Sequence, residues 1–119
     1  MKKKEILHTV PLNYNEQQGV QGIIGEIKKR YPPVKRIILY GSKARGDFAE
    51  DSVIDLLFIT DKEIPRSMKN QIIDAIYDHE LRNDIVVSAI IISDSVFNNH
   101  GSTFLRDVKR EGIVLWWRE

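Results

Sequence analysis

The residues best suited to chemistry lie in one stretch, LYGSKARGDFAEDSVIDLLFI, residues 39–59. Gly41 and Ser42 follow a run of β-branched and aromatic residues and open a glycine-bounded turn. Backbone N–H groups and a hydroxyl in such a turn, beside a short helix start, suit phosphate oxygens. Lys43 and Arg45 place positive charge next to them. Asp55 falls among Ile54, Leu56 and Leu57. A carboxylate within an apolar strand is costly unless a cation or donor meets it, which marks Asp55 as a site residue. Two common nucleotide signatures are excluded. Gly41 and Gly46 have the P-loop separation, but Asp47-Phe48 stand where that motif needs Lys-Ser/Thr. Lys43 occupies the second glycine position of a G-x-G-x-x-G turn.

Elements on both sides must position this stretch. Asn13 and Glu16 form a capping-box pattern, and Val20, Ile23, Ile24 and Ile27 recur at helical spacing up to Lys28-Lys29-Arg30. The spacing predicts a helix over 14–30 whose basic end suits the negative pole of its dipole, although Gly19, Gly22 and Gly25 are poor helix formers in its middle. Pro32-Pro33 stop it, and VKRIILY over 34–40 reads as a strand ending at Gly41. Residues 53–60 form a second, mostly apolar strand of the kind buried on both faces. Pro65 sits near the start of a helix with Met68, Ile72, Ile73, Ile76 and Leu81 in one buried stripe. A third strand is predicted over 84–92, starting at Asp84. Phe104, Leu105 and Val108 give a short helix closed by Gly112, and a last strand follows over 113–117. Trp116 and Trp117 there face opposite ways, so one indole is expected partly exposed. Alternating helices and strands predict an α+β domain with a helix-covered sheet, without setting strand order or direction.

Composition narrows the function classes. The 119 residues make one domain, 1–119, with 18 basic against 17 acidic side chains and a formal charge of +1. No global field draws the chain to nucleic acid or an anionic membrane. A nucleic-acid-binding role would have to use a local stretch such as Lys28 to Arg36, while Lys2-Lys3-Lys4 reads as a solvated tail. No apolar run approaches the ~20 residues that span a bilayer. Cysteine is absent, so thiolate metal sites and disulfides are too, and a cytoplasmic protein is expected. His8, His79 and His100 lack zinc spacing and read as surface residues.

The residues and their spacing together resemble the minimal nucleotidyltransferases of the DNA polymerase beta superfamily. Gly41-Ser42 are followed by residues 43–52 and then Val53-Ile54-Asp55, where the family has Gly-Ser, a spacer and Asp-x-Asp. Ala44-Arg45-Gly46-Asp47, Asp51-Ser52 and Leu56-Leu57-Phe58-Ile59 also look like the family, and Asp84-Ile85-Val86-Val87 looks like the strand that bears its third carboxylate. The resemblance implies the nucleotidyltransferase fold with a mixed sheet, Gly41, Ser42, Lys43 and Arg45 at the nucleotide, and Asp55 with Asp84 as catalytic metal ligands. It implies Mg²⁺ as cofactor, a nucleoside triphosphate such as ATP as substrate, and transfer of a nucleoside monophosphate to an acceptor. Val53 departs from the pattern, since an aliphatic side chain cannot take the place of the first metal-binding Asp. Asp51 shares its strand parity but lies one β repeat away; Asp47 and Glu50 are in the loop. Activity is therefore expected to be impaired, and the alternative is an inactive nucleotide- or partner-binding module. Members this small lack the helical domain that helps hold the acceptor in larger relatives. The resemblance thus implies a small helical HEPN-type partner, as in antitoxin and toxin pairs, or self-association.

Overall fold

The computed structural model describes residues 10–47, 53–99 and 101–119. Helix α1 (Tyr14–Arg30) starts as its sequence predicts, with Asn13 Oδ1 accepting from the Glu16 N–H at 2.8 Å and Glu16 Oε1 accepting from the Asn13 N–H at 3.0 Å. Strand β1 (Val34–Tyr40), the short helix α2 (Gly41–Arg45) and strand β2 (Ile54–Thr60) follow. Helix α3 (Arg66–Asn83) leads to β3 (Val87–Ser93), and α4 (Asp94–Phe97), α5 (Thr103–Glu111) and β4 (Ile113–Trp117) complete the chain. The sheet order is β3-β2-β1-β4, with β1 antiparallel to β2 and β4, and β2 parallel to β3. The sheet is mixed, as the alternation of helices and strands left open.

Both faces of the sheet are covered. Ile37, Leu39, Ile54, Leu56 and Phe58 meet Val20, Ile23 and Ile27 of α1 and Ile72, Ala75 and Ile76 of α3. On the other face Ile38, Leu57, Ile59 and Val114 meet Phe97, Leu105 and Val108. The central strands β1 and β2 are thus buried twice over, which explains their nearly unbroken apolar sequence. Trp116 joins the first core and Trp117 packs at the edge of the second, so the two indoles do face opposite ways. No helix among the described residues is long and apolar enough to cross a membrane.

Several expectations are corrected. Ile73 and Leu81 are 43% and 65% exposed, because the buried face of α3 runs through Ile72, Ala75, Ile76 and His79. A residue next to Ile72 is turned about 100° around the helix, off that face. His79 is buried rather than at the surface, and its Nε2 lies 2.8 Å from Glu26 Oε1 in α1; His8 and His100 lie outside the described residues. The third strand begins at Val87, not Asp84. Asp84 ends α3 in the left-handed region, φ 54° and ψ 53°, with its N–H bonded to the Glu80 carbonyl. A short polar side chain tolerates that conformation, so an Asp that reads as a strand start serves as a helix stop. The stretch Lys28 to Arg36 is partly neutralised from within, Arg30 by Glu26 and both Lys35 and Arg36 by Asp94.

The glycines of α1 turn out to differ in kind. A Cβ on Gly22 would meet the His79 ring, 2.6 Å from Nδ1, whereas one on Gly25 would meet nothing within 4 Å. Gly25→Ala is expected to stabilise the protein by about 0.5–1 kcal/mol, the usual helix-interior gain. Gly22→Ala should destabilise it instead by roughly 1–3 kcal/mol, because His79 must leave its place against Glu26. Urea unfolding of the two variants checks both signs.

Candidate active site

The turn between β1 and α2 is built by conformation and by close approach. Gly41 has φ +73°, a region that side-chain-bearing residues enter at a cost. A Cβ at that position would overlap the Asp55 carboxylate. Tyr40 pairs with Asp55 across β1 and β2, so the register brings the end of one strand against the start of the next. Gly46, φ +82°, closes α2, and its N–H and that of Asp47 both donate to the Ser42 carbonyl. Gly41 and Asp55 are therefore adjacent.

Beside them opens a cleft of about 290 Å³ lined by Tyr40, Gly41, Arg45, Phe104, Asp107, Val108 and Glu111. Tyr40 and Phe104 pack edge to face with centroids 5.3 Å apart. Arg45 reaches across the mouth, Nε to Asp47 Oδ2 at 3.0 Å and a terminal nitrogen to Glu111 Oε2 at 3.3 Å. Burial raises the Asp55 pKa above the ordinary carboxylate value, and the Arg45 charge acts in the opposite sense. Burial, with the negative charge of Asp55, also raises the Tyr40 phenol.

Two expected site residues are placed elsewhere. Lys43 is 1% exposed, and its ammonium is turned away from solvent to Glu16 of α1, 2.9 Å from Oε2. It does not face the cleft. Asp84 is exposed at the end of α3, and the residue paired with Asp55 in the parallel β2/β3 register is Ser88. Val53 precedes β2 and is 38% exposed. Among the described residues no group of three His, Asp or Glu side chains could hold a metal ion. Among the described residues Asp55, with Val53 and Ser88 beside it, does not supply the carboxylates that a resident pair of divalent ions needs. Asp51 and Glu50, the other acids of the loop, lie outside the described residues, while Asp47 is engaged by Arg45.

Tyr40, Phe104 and Glu111 enter the cleft without having been picked out from sequence. Tyr40 could have been found, since it adjoins Gly41; Phe104 and Glu111 lie far along the chain, in a stretch whose resemblance to the family is weak and marks neither as a site residue.

Comparison with known proteins decides the family. Residues 23–119 match the family described as Polymerase beta, Nucleotidyltransferase. The chain belongs to this nucleotidyltransferase family. It is 35% identical over 104 residues to the Putative protein adenylyltransferase MJ0604 of Methanocaldococcus jannaschii, covering 86% of this chain and 99% of that protein. A second protein of that organism, Putative protein adenylyltransferase MJ0141, is 34% identical over 97 residues, covering 76% and 93%. Among solved structures, a putative nucleotidyltransferase from Sulfolobus solfataricus aligns with TM-score 0.55 at 19% identity over 90% of each chain. A toxin-antitoxin structure with AMP-PNP aligns with TM-score 0.59 at 20% identity, over 83% of this chain and 73% of that one. The MNT antitoxin complex with the tri-AMPylated HEPN toxin of Shewanella oneidensis gives TM-score 0.54 at 18% identity, over 86% and 72%. At these identities the solved structures share the fold.

Proposed function

We propose that this nucleotidyltransferase moves a nucleoside monophosphate, AMP in preference to others, from a triphosphate to a hydroxyl on an acceptor protein. The observation that carries the reading is the packing of the Gly41 turn against the Asp55 carboxylate at the edge of an open cleft. In the reaction the acceptor oxygen bonds to the α-phosphorus, and the bond from that phosphorus to the bridging oxygen breaks. Pyrophosphate leaves with the electron pair. The N–H groups of Gly41 and Ser42 and the serine hydroxyl hold phosphate oxygens, and Arg45 exchanges its carboxylate partners for phosphate. Asp55 takes the hydroxyl proton, since a carboxylate whose pKa is raised by burial accepts a proton more readily. The triphosphate arrives as its magnesium complex, which is substrate rather than a resident part of the site. The adenylyltransferase descriptions of the relatives support AMP and a protein acceptor. Fold neighbours that are antitoxins bound to HEPN toxins support a small helical protein of that type as partner.

Val53→Asp tests the reading. Residue 53 lies two positions before Asp55, just ahead of β2, so the new carboxylate would stand about 7 Å away along the chain. Transfer of labelled AMP from ATP to a co-expressed HEPN-type protein is expected to rise by about tenfold or more over wild type, because the variant would offer the magnesium of the substrate a carboxylate while Asp55 stays free to take the proton. The flanking of Asp55 by Val53 and Ser88 favours a second reading, a nucleotide- and partner-binding module without catalysis. That module would bind the helical protein and transfer no label in either form.

A further inference from the structure

The one fully buried cation among the described residues belongs to α2, and the active-site chemistry leaves it unused. Lys43 directly follows Ser42, and its side chain runs to the opposite side of the turn from the cleft. There Glu16 receives it with both carboxylate oxygens, 3.2 Å from Oε1 and 2.9 Å from Oε2. Glu16 is itself nearly inaccessible, 6% exposed, and the same Oε1 accepts the Asn13 N–H that starts α1. The helix of the phosphate turn is thus tied to the first turn of α1 by a charge-assisted contact that spans residues 16 and 43. On its other side α2 is held to α5 by Arg45 and Glu111, an exposed pair that water and salt weaken. A buried ion pair adds little net stability compared with an apolar pair of the same size. What it supplies is direction: an ammonium pulled to a fixed carboxylate allows α2 few alternative positions.

We infer that Glu16 and Lys43 are positioning residues for the phosphate turn, setting the place of the Gly41 and Ser42 N–H groups relative to Asp55 without touching the substrate. The inference rests on the nucleotidyltransferase reading for its functional consequence, and on the apo protein alone for its structural one. Three variants separate positioning from packing. Lys43→Met leaves a buried carboxylate without its cation, and Glu16→Gln leaves a buried cation without its anion, so each lowers stability. The double variant Glu16→Gln/Lys43→Met removes both charges of the pair, and the Gln oxygen can still accept the Asn13 N–H, so its thermal stability is expected to return toward wild type.

Two quantities are measured on the full chain: the affinity for a fluorescent ATP analogue with Mg²⁺, and amide hydrogen exchange at Gly41 and Ser42 without nucleotide. All three variants, the double one included, are expected to bind the analogue about tenfold or more weakly and to exchange these amides about tenfold or more rapidly, because small misplacements of donors are costly. A double variant that recovers wild-type affinity and exchange along with stability overturns the inference, as do single variants that change neither. If the wild-type chain does not bind the analogue, the proposed function falls, and the exchange rates still decide whether the pair positions the turn.

Discussion

Asp55→Asn is expected to lower nucleotide transfer by about 100-fold or more while leaving the protein at least as stable at neutral pH. The catalytic loss follows from removing the carboxylate packed against Gly41 that the proposed reaction uses to take the proton, and losses of ~10²–10⁴ are usual for such a group. The stability gain follows from the direction of its pKa. Burial raises Asp55 above its ordinary value of 3.8, with Arg45 opposing only in part. A carboxyl whose folded pKa is raised favours the folded state when protonated, and that contribution is lost as pH climbs from the unfolded value through the folded one. At neutral pH the ionised Asp55 therefore opposes folding, and Asn removes the penalty. Thermal unfolding of both proteins at pH 7 and again below pH 4 checks this, since the advantage of Asn should shrink in acid. Transfer by the wild type should fall as pH drops through the raised pKa, where the proton acceptor is lost. A variant that keeps full transfer would remove Asp55 from the mechanism.

Gly41→Ala should damage both stability and transfer. Two costs combine: a non-glycine residue at φ +73° is strained by roughly 1–2 kcal/mol, and the new Cβ overlaps the Asp55 carboxylate. Gly46→Ala supplies the control, because Gly46 has φ +82° but open space around its would-be Cβ. The two substitutions share the backbone penalty and differ in the overlap. Unfolding free energies should fall for both, by roughly 1–2 kcal/mol for Gly46→Ala and more for Gly41→Ala. Nucleotide transfer should survive Gly46→Ala and drop by about 100-fold or more in Gly41→Ala, since the acidic group is pushed out of line. Equal transfer by the two variants would mean that the contact between residue 41 and Asp55 has no part in the reaction.

The residues of the candidate site differ in how visible their placements are along the chain. The turn at Gly41 and Ser42 could be read because it has a local cause: a strand, a glycine at its end and small residues after it. Asp55 could be read because a carboxylate inside an apolar run is anomalous wherever the run is packed. Lys43 misled for the opposite reason. A cation next to a glycine turn looks available to phosphate, and only the packing of α1 against α2 supplies a buried carboxylate that claims it. Asp84 misled because its resemblance lay in a short string of letters, DIVV, whose first member here terminates a helix. Whether an Asp starts a strand or caps a helix depends on which backbone groups need satisfying, and that is set by the length of α3.

From the sequence alone came the helix over 14–30 with its cap, the strand over 34–40, the alternation that makes an α+β domain, and the pairing of a serine turn with Asp55. All of these depend on neighbours a few residues apart, where hydrogen-bonding geometry and apolar periodicity act directly. The tertiary structure alone decided that Ser88, not Asp84, stands beside Asp55, that Lys43 belongs to Glu16, that Ile73 and Leu81 face outward, and that Phe104 and Glu111 form the far wall of the cleft. Those outcomes depend on strand register and helix rotation. Both are fixed by burying the whole apolar set at once, a sum over distant residues that no local pattern carries.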